Sequence, residues 1–127
     1  MSVINFAMFA ALIAAFPPSN NCTVEGEVFY VQRIALPENA VISVRLEEQG
    51  IADKAAEIFA ETEFGSAGKQ VPFPFKLEAD CAVLKGAVTP GFTVRIMVGD
   101  KLRFINTVSH PYDETQDVQR IQVDPVG

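Results

Sequence analysis

Tryptophan is absent from this chain, histidine occurs once, and tyrosine and cysteine occur twice each. Each shortage removes a class of function. One histidine, His110, cannot build a multi-histidine zinc site, and two cysteines do not complete a usual structural zinc set with it. The Asp/Asn loop of an EF-hand is missing. So are a Gly-rich phosphate loop, a G-x-S-x-G elbow and a C-x-x-C pair. A nucleophile at Ser109, Cys22 or Cys81 served by His110 needs a spatial pairing that the sequence does not reveal. Lacking Trp, the chain offers poor stacking surfaces for sugars, which leaves a small-ligand or carbohydrate-binding module as the weaker alternative function. Basic residues are scarce as well. Ten Lys and Arg against sixteen Asp and Glu give a net charge of −6, and with no basic cluster the surface repels nucleic acid and anionic membranes. No catalytic residue, metal ligand or cofactor is therefore expected.

What is present is apolar. Hydrophobic residues make up 49% of the 127, and ten Phe carry most of the aromatic mass. Phe needs no polar partner when buried, so these residues read first as core. This length and composition suit one compact domain. The opening run "MSVINFAMFAALIAAF" is too short for a comfortable transmembrane helix; it resembles the apolar region of a secretory signal with Ala15 as an end, although no Lys or Arg precedes it. The division expected is a signal-like segment and short linker over residues 1–21 and a domain over 22–127. In an exported chain Cys22 and Cys81 are able to form a disulfide closing a long loop; two unpaired, partly buried thiols are the alternative. Cys22 is also a conceivable lipid site. The preceding "SNN" lacks the small and apolar residues of a bacterial lipoprotein signal, which argues against that anchor.

From Thr23 onward short alternating segments are separated by turn-forming residues, the pattern of an all-β domain. "TVEGEVFYVQ" sets Val24, Gly26, Val28 and Tyr30 on one face. "AVISVRLEE" sets Ile42, Val44 and Leu46 against Val41, Ser43, Arg45 and Glu47. "FTVRIMV" puts Phe92, Val94, Ile96 and Val98 on one side, Gly99-Asp100 is a hairpin signal, and "KLRFINT" returns with Leu102 and Phe104 inward and Arg103 and Ile105 outward. "DKAAEIFAETEF" fits either a helix capped by Asp53 or a strand with Ile58, Ala60, Thr62 and Phe64 inward and Phe59 outward. "VQRIQV" reads as a last edge strand or a loose tail. Six or seven such strands in about a hundred residues predict an immunoglobulin-like two-sheet β-sandwich, with a small barrel as the competitor.

Two features bear on binding. In "KQVPFPFKLE" Val71, Phe73, Phe75 and Leu77 alternate with Pro72 and Pro74. Residues two apart send their N–H groups to the same side, so the prolines remove donors from one edge only, which predicts an edge strand blunted against pairing. Phe29, Phe59, Met97 and Ile105 fall on the polar side of their alternations. If clustered, they form a partner-binding patch; otherwise each is shielded by a loop or the second sheet.

Four stretches, "VEGEVFYVQRIALPENAVISVRLEE", "IADKAAEIFAET", "GKQVPFPFKLEAD" and "FTVRIMVGDKLRFINT", together resemble the YbaY-type lipoprotein family, whose relatives include the YscW-type pilotins of bacterial type III secretion. The resemblance implies a bacterial envelope protein, exported to the periplasm or outer membrane, with an immunoglobulin-like sandwich in which Lys54 to Phe64 is a strand. Pilotins bind a secretin subunit. The resemblance thus also implies a non-enzymatic, chaperone-like module whose partner is an envelope protein or peptide segment such as a secretin-like subunit.

Overall fold

The computed structural model describes residues 20–50 and 56–126. Residues 1–19 and the Asp53 cap of the helical alternative lie outside them. The alternating segments form β1 (Asn21–Phe29), β2 (Ala40–Glu48), β3 (Ile58–Gly65), β4 (Phe73–Asp80), β5 (Pro90–Val98) and β6 (Lys101–Ile105). Short strands β7 (His110–Pro111), β8 (Gln119–Gln122) and β9 (Asp124–Pro125) follow, and one short helix, α1 (Cys81–Lys85), joins β4 to β5. They make two sheets, a smaller one in the order β4-β1-β8 and a larger one in the order β3-β2-β5-β6-β9 with β7 beside β5. The fold is a β-sandwich. "VQRIQV" supplies β8, which runs parallel to β1 at the edge of the smaller sheet.

Alternation places the core. In β4 Phe73, Phe75, Leu77 and Ala79 are buried while Pro74, Lys76, Glu78 and Asp80 are exposed. Val24 and Val28 of β1, Ile42, Val44 and Leu46 of β2, and Phe92, Val94 and Ile96 of β5 meet them between the sheets. Each such side chain contributes about 1.5–3 kcal/mol by leaving water. The hairpin at Gly99-Asp100 joins β5 to β6, with Gly99 at φ 63°. That value lies in the left-handed region that glycine adopts without steric cost.

The proline strand lies at an edge, with one correction of extent. β4 pairs with β1 alone. Pro72 precedes the strand, whereas Pro74 lies within it opposite Glu27. The Asn20 carbonyl accepts from the Cys81 N–H, so even-numbered residues of β1 and odd-numbered residues of β4 carry the ladder bonds between the two strands. Pro74 is out of that phase. The donor it lacks belongs to the open side.

Two β-bulges change which side chains face out. Leu46 pairs with Ala60 and Glu47 with Ile58, so Phe59 is an extra residue in β3. A bulge shifts the alternation by one position. Phe59 accordingly packs against the core and Ile58 is 44% exposed, the reverse of the expected orientation of both. In β6, Ile96 pairs with Phe104 and Met97 with Leu102, which makes Arg103 the extra residue. Leu102 thereby joins the outer face instead of the core.

A short helix opens the connection between β4 and β5. Asp80 accepts from the Ala82 and Val83 N–H groups at 2.9 and 3.2 Å, capping α1, and Leu84 of α1 is buried. An N-terminal carboxylate satisfies donors that a helix start leaves free.

Candidate functional site

Directly opposed residues on neighbouring strands share a sheet face, so the register maps the outer surface of the larger sheet. Val41 of β2 lies opposite Met97 of β5, and Met97 opposite Leu102 of β6. One step along, Ile105 lies opposite Arg95. All four apolar residues are partly exposed. The result is an apolar strip on the outer face, bordered by Ser43, Arg95 and Asp124.

Of the four residues singled out in the sequence, Met97 and Ile105 share this strip. Phe59 does not, because the bulge in β3 turns it to the core. Phe29 belongs to the smaller sheet, on the opposite side of the sandwich. Its ring lies 4.7 Å beneath the Arg120 guanidinium, which also bonds Glu27 at 2.7 Å. Cation–π contact and the ion pair cover that aromatic face. Val41 and Leu102 were not singled out. Val41 reads as an ordinary outward position in its strand, and Leu102 reaches the surface only through the bulge at Arg103.

A second feature is an open cleft of about 1150 Å³ at the end of the sandwich where β1 begins. The Cys22–Cys81 disulfide, Leu84, Pro90 and the loop from His110 to Gln119 line it. The buried Gln119 shapes that loop: its amide donates to the Asp113 carbonyl at 2.7 Å and accepts from the Asp113 N–H at 3.1 Å. The cleft wall also includes Tyr112, whose hydroxyl is raised above its ordinary value by burial and by Glu114 and Asp113.

The disulfide links the start of β1 to the start of α1, with Cα atoms 5.0 Å apart. With each sulfur bonded to the other, neither cysteine offers a thiolate nucleophile in this structure. His110 packs edge-on against Phe92 with ring centroids 5.8 Å apart, and burial holds it below its ordinary value. The Ser109 hydroxyl donates to Gln49 at 3.4 Å. Among the described residues no group of three His, Cys, Asp or Glu converges to hold a metal ion, and no helix is long and apolar enough to cross a membrane. What the arrangement offers chemically is apolar contact on a sheet face and a cleft of mixed polarity.

Known proteins resemble this chain in sequence and, for a solved structure, in architecture. The profile of the family described as type III secretion system lipoprotein chaperone (YscW) matches residues 19–123. The uncharacterized lipoprotein YbaY of Escherichia coli (strain K12) is 33% identical over 95 residues, covering 75% of this chain and 50% of that protein. The chain thus spans about half the length of that curated relative. A solved structure, that of an alternative pilotin from the type II secretion system of Vibrio cholerae, superposes with a TM-score of 0.75 at 32% identity, covering 84% of this chain and 98% of that one. With the family profile spanning most of the described sandwich, the chain belongs to the YscW family of type III secretion system lipoprotein chaperones.

Proposed function

We propose that this protein is a non-enzymatic, pilotin-like module of the bacterial envelope that holds a segment of a partner protein against the outer face of its larger sheet. The observation that carries the reading is the strip Val41, Met97, Leu102 and Ile105, apolar side chains brought together on a solvent face. Contiguous apolar side chains left partly exposed on a sheet face favour an interaction site. Met97 adds an unbranched, polarizable side chain suited to contact with varied partners. A secretin subunit is the proposed partner, as the pilotin resemblance implies, and the likeness to a solved type II secretion pilotin supports a partner in a secretion system.

The Cys22–Cys81 disulfide supports a site of action outside the cytosol, since such bonds persist in oxidising compartments. Residues 1–21 act in this reading as the export segment and its linker, and residues 22–127 as the working domain. The test places a photocrosslinking residue at position 41, beside Met97 in the strip, and incubates the protein with a purified secretin subunit. A crosslinked product that disappears in the Met97→Asp/Ile105→Asp variant supports the reading. Undiminished crosslinking to a secretin by the folded double variant would discard the strip.

A further inference from the structure

We infer that the first half of β1 is an open strand edge that binds an extended peptide, basic at its outward positions and apolar at those between, as an added strand across the cleft. The inference concerns a different surface from the strip and does not depend on it. β4 covers one side of β1 from Asn21 to Val28, but β8 covers the other side only from Gly26 to Phe29. Even-numbered residues of β1 bond toward β4, as the Asn20 carbonyl does to Cys81. Odd-numbered residues face the other way, as the Phe29 carbonyl shows by accepting from the Val123 N–H at 2.9 Å. The N–H and C=O groups of Asn21 and Thr23 therefore point to a side along which no described strand runs. Both residues are exposed.

Proteins guard such edges against unwanted pairing. The outer edge of β4 carries Pro74, and that of β3 carries a bulge at Phe59 with Glu61 and Glu63 beside it. The half-edge of β1 has no proline and no bulge. It opens beside the cleft, where Leu84, Tyr112 and the disulfide line the interior. An added strand gains backbone bonds from Asn21 and Thr23 and sends alternate side chains into that interior.

The chemistry of the occupant is written in β8, which shows what this edge accepts. Ile121 points inward and is fully buried, whereas Arg120 lies opposite Glu27 on the outer face and bonds its carboxylate at 2.7 Å. β8 stops short because the chain leaves the sheet at Val118, which is 45% exposed and lines the cleft. A strand continuing that line meets Glu25 as its outward neighbour, as Arg120 meets Glu27. Glu25 is exposed and accepts no side-chain bond among those described, with Lys76 opposite it on the β4 side and no described residue opposite it on the open side. The complement is Lys or Arg outward with an apolar residue on each side of it.

Amide exchange in the full chain tests this, with a soluble peptide alternating Val and Lys as probe and peptides alternating Val and Glu, or with the Val-Lys order scrambled, as controls. The Val-Lys peptide is expected to slow exchange at Thr23 and to bind roughly tenfold more weakly to Thr23→Pro, the order expected for one or two lost backbone bonds. Glu25→Lys, which leaves the backbone intact, is expected to weaken binding as well and to serve if the proline variant fails to fold. Met97→Asp/Ile105→Asp is expected to bind normally, which separates this edge from the strip. A Thr23 amide already protected without peptide, equal binding of the Val-Glu peptide, or binding lost only in the strip variant would each overturn the inference.

Discussion

Glu48, at the end of β2, accepts the Thr89 N–H at 2.6 Å and the Val88 N–H at 2.7 Å, tying that strand to the turn that opens β5. Burial raises the Glu48 carboxyl, but bonds from Val88, Thr89, Gly50 and Gln49 outweigh it and hold the group below its ordinary value. A carboxylate depressed in the folded state contributes stability above the unfolded value and loses it as pH falls through the folded one. Glu48→Gln is expected to lower the melting temperature by several degrees at neutral pH. That deficit should shrink under acid, as paired melts at neutral and strongly acidic pH would read.

The Cys22–Cys81 bond closes a span of 59 residues. In the chain-entropy account a loop of that length contributes roughly 4 kcal/mol through the unfolded state. Reduction, or Cys22→Ser with Cys81→Ser, is expected to lower the denaturation midpoint by a corresponding amount. Urea titration with and without reductant checks it.

Gly26 has no room for a side chain. A Cβ there would approach the Gln119 carbonyl to 2.5 Å and collide with the Phe75 ring. The ring can turn; the β8 backbone cannot move without breaking its pairing. Gly26→Ala is expected to cost about 1–3 kcal/mol by overpacking. The loss should appear first as faster amide exchange in β8.

His110 is held below its ordinary value by burial against Phe92. Through the ordinary histidine range the unfolded chain takes up a proton that the folded one refuses, so stability declines as pH falls from above that range toward the lowered folded value. His110→Gln is expected to flatten this slope. Urea midpoints across mildly alkaline to mildly acidic pH would show it, and an unchanged slope would contradict the assignment.

The bulge at Arg103 makes neighbouring apolar residues unequal. Leu102 lies outward beside Met97, while Phe104 is 2% exposed and stacks on Tyr30 at 4.3 Å. Leu102→Lys, at a partly exposed position where the lysine stem can lie along the sheet, is expected to cost about 1 kcal/mol or less. Phe104→Ala is expected to cost about 3–5 kcal/mol. Thermal melts of the two variants separate the faces.

Much of this architecture was legible because alternation and burial report the same geometry. Val24 and Val28, Ile42 through Leu46, and Phe92 through Ile96 point inward in the sequence pattern and in the fold. Pro74 announced an edge because a missing donor is tolerable only where no strand needs it. Phe59 and Leu102 depart from the alternation for one reason: each lies at a bulge, and the extra residue carries no reliable mark in a single sequence. Asp80 is an ordinary outward residue of β4 by alternation, and its role as a helix cap becomes visible only when α1 follows it.

The sequence by itself determined the strands around Val24–Val28, Ile42–Leu46 and Phe92–Phe104, which faces of the regular strands are apolar, and that the proline strand cannot be central. These properties repeat every second residue and are local. The tertiary structure alone decided that Met97 and Ile105 share a surface with Val41 and Leu102, that Phe29 lies on the other sheet beneath Arg120, and that β8 stops halfway along β1. Those facts depend on register between distant segments. Register arises from the packing of whole sheets, where one extra residue turns a side chain from core to solvent.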